Sequence, residues 1–431
     1  MPLDLLTRLD PLRRIRCPFC FERFPAFELH LRCNDHYCKT DFAHMVEDPI
    51  LSRSLNGRRG HSGAGAALRS AWWVDPRADR RRGIRRHLDW MVLPGTLDCP
   101  NCHKPTDCRL CPRCHAQLPD SVVTLDAGHI AIFGPQSVGK TTFITVLIHE
   151  LDHRVGPENG FILEPLTDEI RERYEREYHE LTYGGSQFGI GEDLHAESYR
   201  RSHSATPSLE TSRSVLQPLV YRLTRTRGGR RASTLLSFFD TAGEDWEMNI
   251  DLLRGEARYL GLARGLLFLV DPLRLREVAH DRRLRLTEKE SRVPAADYLN
   301  DIRKLTTFFP RSPVQTPLAI VLNKLDRWGE LMEEGTALRQ VARSVPTEAP
   351  SRGFDQVIHE EVQSTLRRWG ATGFLEHVAT HFPNHRFFAC SALGDAAQER
   401  EDAPQPLPTP LLIDRPVLWL LAQQGILKDY R

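Results

Sequence analysis

Ile130-Ala131-Ile132-Phe133-Gly134-Pro135-Gln136-Ser137-Val138-Gly139-Lys140-Thr141-Thr142 is the stretch on which the fold turns. Its first four residues are an apolar run of strand type, and Phe143 to Leu151 behind it carries apolar residues at helical spacing. Between them lies a G-x-x-x-x-G-K-T loop. Glycines at 134 and 139 let backbone N–H groups close around an anion, and the following helix N-terminus adds the positive end of its dipole. The same spacing assigns Lys140 to the β- and γ-oxygens of a nucleotide and the Thr141 hydroxyl to its Mg²⁺. Pro135, Gln136, Ser137, Val138 and Thr142 complete the phosphate lining. Strand, phosphate loop and helix in this order predict an α/β fold, a mostly parallel sheet flanked by helices.

A phosphate loop leaves the base open, and the sequence downstream closes the question. Leu216 to Thr226 and Ser233 to Phe239 are β-rich runs about the turn Arg227-Gly228-Gly229-Arg230, and the second delivers Asp240-Thr241-Ala242-Gly243-Glu244. Asp240 is expected to hold Mg²⁺ through water, and the Gly243 N–H to meet the γ-phosphate. Apolar strands over Gly265 to Asp271 and Pro317 to Leu322 follow, the latter ending in Asn323-Lys324-Leu325-Asp326. The Asp326 carboxylate can accept from guanine N1–H and from the 2-amino group, a pair that adenine does not present. His385 to Ala389 then leads into Cys390-Ser391-Ala392-Leu393, where a backbone N–H can reach guanine O6. GTP and GDP are the ligands this set predicts.

The front of the chain is of another kind. Nine of the ten cysteines precede residue 115. No apolar run approaches the roughly 18 residues of a membrane span, and Met1 to Asp10 is charged where a signal peptide is apolar, so a cytoplasmic location is expected. In that compartment such cysteines read as metal ligands rather than disulfides. Grouped by closeness in sequence they make two sets of four, Cys17, Cys20, Cys33 and Cys38, then Cys99, Cys102, Cys111 and Cys114. Each set predicts a closed, structural zinc site, two Zn²⁺ in all. His30 or His36 is the alternative for one ligand of the first set. Cys108 and Cys390 are left as plain thiols. The expected domains are a zinc ribbon over 1–50, a basic linker over 51–95, a second ribbon over 96–120, and a nucleotide domain over 121–431. Residues 51–90 hold ten Arg and three Asp around Trp72-Trp73, a composition shared by nucleic-acid-binding segments and by solvated surface.

The four motifs, in this order and each at the end of a strand, resemble the Ras-like, translation-factor-related class of P-loop GTPases over roughly residues 128 to 427. With zinc ribbons ahead of it and the strand end Leu267-Phe268-Leu269-Val270-Asp271-Pro272, the chain is similar to the bacterial double-GTPase family. That resemblance implies a GTP-hydrolysing switch in a bacterial conflict system, with protein partners that include a second GTPase. An RNA- or ribosome-associated GTPase and a non-hydrolysing GTP-dependent scaffold are the alternatives. Two departures bear on the chemistry. About a hundred residues separate Lys140 from Asp240, so an insertion over about 154–213 stands where the first switch belongs. Thr211 is the candidate switch threonine and Thr206 the runner-up. Arg200, Arg201 and Arg213 are candidate arginine fingers that read equally as surface residues. Glu244 occupies the place where Ras-like enzymes usually hold a water-orienting glutamine, and its charge near the γ-phosphate predicts slow hydrolysis.

Lys140→Ala and Asp240→Ala are each expected to abolish hydrolysis, one removing the phosphate-bridging charge and the other the hold on Mg²⁺. Glu244→Gln removes a negative charge and keeps a water-orienting group, so turnover should be unchanged or faster. Multiple-turnover phosphate release measures all three, and a collapse in Glu244→Gln comparable to that of Lys140→Ala would identify Glu244 as an essential base.

Overall fold

Gly265-Leu266-Leu267-Phe268-Leu269-Val270 is apolar without alternation, and every residue of it is buried. Such a run suits the middle of a parallel sheet covered on both faces. The computed structural model describes residues 14–25, 30–31, 97–98, 104–106, 109–113, 117–118, 122, 125–183, 218–227, 230–240, 258–279, 281, 295–309, 313–343, 353–394 and 408–427. Two compact units divide the chain, a first running to Ala127 with short later stretches and a second made of the rest from Gly128.

The principal sheet has seven strands: β1 Asp126–Phe133, β2 Phe161–Pro165, β3 Leu219–Arg227, β4 Arg230–Asp240, β5 Gly265–Val270, β6 Leu318–Leu322 and β7 His385–Ala389. Their spatial order is β7-β6-β5-β1-β4-β3-β2. Parallel pairing joins β1 to β5, β5 to β6 and β6 to β7, while β2 runs antiparallel to β3. The architecture is the predicted α/β fold, a mostly parallel sheet flanked by helices. In the register, Val270 lies opposite Leu322 and Leu322 opposite Ala389. Asp271, Asn323 and Cys390 therefore leave the sheet side by side, at the carboxyl ends where ligands of open α/β sheets bind.

Helices α1 Lys140–Glu150, α2 Asp168–Tyr183, α3 Tyr298–Thr306, α4 Phe354–Arg368, α5 Thr372–His381 and α6 Arg415–Gln423 accompany the sheet. Sequence spacing predicts α3 from Ala295, but the Asp297 side chain accepts from the Asn300 N–H and caps the helix there. It predicts α6 to Leu427, whereas the helix ends at Gln423 and the left-handed Gly425 turns the chain away. Strand β2 escapes the sequence reading altogether. It falls inside the expected insertion, where Phe161 and Leu163 are buried and Ile162 and Glu164 exposed, an alternation over too few residues to stand out. No helix among the described residues is long and apolar enough to cross a membrane.

The turn carrying Asp326 is fixed from behind. Leu325–Trp328 is one helical turn, the fully buried Trp328 donates its indole N–H to the Asn323 carbonyl at 2.7 Å, and Gly329 meets the helix Ala337–Arg343. A methyl group on Gly329 would lie 2.2 Å from the Ala342 Cβ. Gly329→Ala is therefore expected to lower the stability of the protein by about 1–3 kcal/mol, and Ala342→Gly in the same chain to recover part of it. Urea denaturation of both single variants and the double variant checks this, since purely additive losses would mean that the two residues do not meet.

Candidate nucleotide-binding site

The phosphate loop is shaped by backbone conformation. Gly134 has φ 154° and Gly139 φ 86°, and Ser137 between them takes the left-handed φ of 61°. A Cβ at Gly134 would sit 2.6 Å from the Leu269 carbonyl oxygen, and one at Gly139 would sit 3.0 Å from the Asn323 amide nitrogen. Glycine is needed at both places by conformation and by room. Lys140 is buried at the first turn of α1, its Nζ donating at 2.8 Å to the carbonyls of Gly134 and Pro135. The ammonium thus lies over the loop that sequence spacing assigns to phosphate. Loop geometry and donor chemistry fit a bound polyphosphate: glycines that exclude side chains, a helix N-terminus, and a lysine aimed back across the loop.

The base loop is joined to this cradle by side chains. Asn323 donates from Nδ2 to the Val138 carbonyl at 3.0 Å, and the Cys390 thiol donates to its Oδ1 at 3.7 Å. Lys324 takes the left-handed φ of 60° and carries its amine to the Asp271 carboxylate at 2.7 Å. The Ser391 hydroxyl donates to Asp326 Oδ1 and accepts from the Gly394 N–H at 3.0 Å. The neighbouring backbone is held by paired bonds between Ser391 and Leu411. Ala392 and Leu393 follow Ser391 in the same loop, Ala392 buried and Leu393 half-buried. Burial raises the Asp326 pKa above the usual carboxylate range, with the Ser391 hydrogen bond acting against it. One Asp326 oxygen thus has its partner within the protein, and the carboxylate is held in a single orientation.

Two residues that the sequence reading gave no role at the site join it. Asp271, buried at the end of β5, accepts from Lys324 with one oxygen and from the Leu273 N–H with the other, while the Tyr298 hydroxyl binds its backbone at 2.8 and 2.9 Å. Arg274, one turn on, donates to the Gln136 carbonyl in the phosphate loop at 2.8 Å. The segment after β5 therefore touches both loops. In sequence the strand end Leu267 to Pro272 marks Asp271, and nothing marks Arg274.

The insertion helix α2 docks on α1. Thr145 donates to Glu177 at 3.3 Å, His149 Nδ1 is hydrogen-bonded to the Tyr174 hydroxyl at 2.9 Å, and the His149 ring stacks on Tyr178 at 4.0 Å. Burial, with the neighbouring His153, lowers the His149 pKa to about 4, so the ring is neutral at physiological pH. Thr141 and Thr142 sit half-buried in the first turn of α1. Asp240 ends β4 as expected, though its side chain lies outside the description. Gly243, Glu244, Thr206, Thr211, Arg200, Arg201 and Arg213 lie outside the described residues.

In the first unit the three described cysteines meet across the two sets expected from sequence. Cys17, Cys20 and Cys111 have their sulfurs within 4.8 Å of one another, bringing together members of two sets that closeness in sequence keeps apart. The backbone explains this, because His30–Leu31 pairs antiparallel with Arg109–Leu110 and so joins segments expected in separate ribbons. Cys33, Cys38, Cys99, Cys102, Cys108 and Cys114, with His36 and the Arg-rich stretch, lie outside the described residues, as does the side chain of His30.

No protein-family model matches this chain. A Mycolicibacterium smegmatis protein, SaeC, whose name proposes a role in ESX-1 scaffolding and assembly, is 28% identical over 319 residues, covering 70% of this chain and 76% of its own. Among solved structures, the S. cerevisiae Ski7 GTPase-like domain bound to GTP matches at 14% identity and a TM-score of 0.33, over 70% of this chain and 50% of that one. The GTP-bound signal recognition particle receptor SRb–SRX complex of Chaetomium thermophilum matches at 16% identity and a TM-score of 0.26, over 62% of this chain and 92% of that one. At such scores the fold assignment stands on the strand order and loop geometry described above.

The guanine contact that sequence predicts for Asp326 would need the carboxylate, and its raised pKa moves loss of that form to higher pH than for an ordinary aspartate. Affinity for guanine nucleotides should therefore fall on acidification, starting above the usual range, and Ser391→Ala, which removes a bond favouring the charged form, should move the fall higher still. Titrating a fluorescent GDP analogue across pH tests both signs, and a midpoint that Ser391→Ala leaves in place would rule out the coupling.

Proposed function

We propose that this chain is a GTP-binding switch protein that hydrolyses GTP slowly with Mg²⁺ and acts within a multi-protein assembly. The observation that carries this reading is the joining of phosphate loop and base loop through Asn323 and Val138, with Asp326 held on the same edge by Ser391. Lys140 and the backbone of residues 134–142 would hold the phosphates. Thr141, with Asp240, would hold Mg²⁺, whose chemistry is to neutralise phosphate charge. Asn323, Lys324, Asp326 and the Ser391-Ala392-Leu393 loop would hold the base. Thr211, Gly243 and Glu244 are the proposed switch and water-orienting groups. Nucleotide state would be relayed through the insertion, since α2 is anchored on the phosphate-loop helix by Glu177 and Tyr174.

Protein partners, a second GTPase among them, and a place in a bacterial conflict system belong to this proposal through the family resemblance alone. A second reading, a GTP-dependent scaffold without turnover, is favoured by the name of the SaeC relative and by the charge of Glu244. Tight GTP binding with no phosphate released over many turnovers would select it. For the nucleic-acid reading, binding that weakens with salt and vanishes on deleting residues 51–90 is the required result.

Base choice tests the core of the proposal. Wild-type protein should bind GTP far more tightly than ATP, because a site built for particular hydrogen bonds is left with unpaired polar groups by an analogue lacking them. Asp326→Asn supplies a donor where the carboxylate accepted, so it should lose GTP and gain XTP, whose base carries a carbonyl in place of the amine. Fluorescent GTP, ATP and XTP analogues measure the exchange. Equal wild-type affinity for ATP and GTP would overturn the assignment.

A further inference from the structure

We propose that one zinc ion is held jointly by Cys17 and Cys20 from the start of the chain and by Cys111 from ninety residues later, so that the metal clasps two distant segments into a single module. The sulfurs of all three lie within 4.8 Å of one another, and those of Cys20 and Cys111 are 3.8 Å apart. A tetrahedral site with Zn–S bonds of about 2.3 Å requires neighbouring sulfurs ~3.8 Å apart, whereas a disulfide requires about 2.05 Å. The Cys20–Cys111 separation is that of two ligands around a common ion.

The backbone is arranged for thiolates. The Phe19 N–H donates to the Cys17 sulfur at 3.3 Å and the Arg113 N–H to the Cys111 sulfur at 3.4 Å, each from two residues on. Hydrogen bonds to sulfur favour its charged form, which is the form that binds metal. Cys17 and Cys111 are wholly buried, where a thiolate without a cation is costly. The first Cys pair sits on the turn of the hairpin Arg14–Arg16 with Arg23–Pro25. Arg109–Leu110, immediately before Cys111, is the strand that pairs with His30–Leu31. Sheet pairing thus carries the later cysteine to the earlier pair. Thiolate ligands alone select a soft or borderline ion, and a closed site of this kind is structural.

The topological consequence concerns the Arg-rich stretch. If the ion joined only neighbours in sequence, residues 51–90 would link two independent ribbons. With the ion shared between Cys20 and Cys111, the segments on either side of that stretch belong to one module, as the pairing of His30–Leu31 with Arg109–Leu110 also requires.

The test uses the full zinc-loaded chain and Cys111→Ser, each treated with N-ethylmaleimide and mapped by mass spectrometry. In the variant, Cys17 and Cys20 should become reactive while Cys390, fully buried in the second unit, stays protected and reports that the second unit remains folded. Cys17 and Cys20 as protected in Cys111→Ser as in wild type would overturn the shared site. Should Cys390 also react, the unmutated chain gives the answer, by withdrawing zinc with a chelator in the presence of diamide. A Cys20–Cys111 disulfide is then expected, and disulfides confined within 17–38 and within 99–114 would overturn the proposal.

Discussion

A side-chain amide joins two loops that lie 185 residues apart, as Asn323 donates to the Val138 carbonyl at 3.0 Å. The phosphate loop must leave its own N–H groups aimed inward, so few of its backbone groups are available to hold it in place. Its carbonyls on the outer side supply the fixing points. Asn323 holds Val138, Arg274 holds Gln136, and Lys140 holds Gly134 and Pro135. A buried polar group left without its partner costs about 1–3 kcal/mol. A loop held at three places by such contacts has one low-energy shape, and that shape exists before any ligand arrives.

The sheet makes these contacts possible. Residues of β5, β6 and β7 end level with one another because parallel registry aligns Val270, Leu322 and Ala389. The wholly apolar β5 and β6 can occupy only the covered middle of the sheet, which sets the loops after them beside each other. Asp271 then reaches Lys324, and Cys390 reaches Asn323, across strand spacings of about 5 Å. Several of the polar contacts at the site span two loops, so displacing one strand would separate more than one of them.

Regulation has a natural place in what surrounds this frame. The insertion after α1 does not leave the domain at once. It returns a strand, β2, to the sheet edge and packs α2 on the helix that begins with Lys140. The polar seam of Thr145, Glu177, His149 and Tyr174 is built from paired groups, which give a defined docking geometry with less free energy than an apolar seam of equal area.

Much of the site was legible in sequence because its chemistry is local. Gly134, Gly139, Lys140 and Thr141 act through one turn of backbone and the helix behind it, and Asn323, Lys324 and Asp326 through another, so residue type and spacing carry the information. The mostly parallel sheet was legible in the apolar runs, whereas the order of its strands came only with the structure. What the sequence could not contain is the pairing of residues that meet only when the chain closes. Asp271 with Lys324, Arg274 with Gln136, and Cys20 with Cys111 are set by strand registry and by loops of very different length. Closeness along the chain grouped the cysteines one way and the sheet another. Spacing determines which chemistry a loop can perform, because that depends on bond lengths and local dihedrals. Tertiary structure decides which loops perform it together, because extending a loop costs free energy only as the logarithm of its length, so distance in sequence scarcely restricts which partners meet.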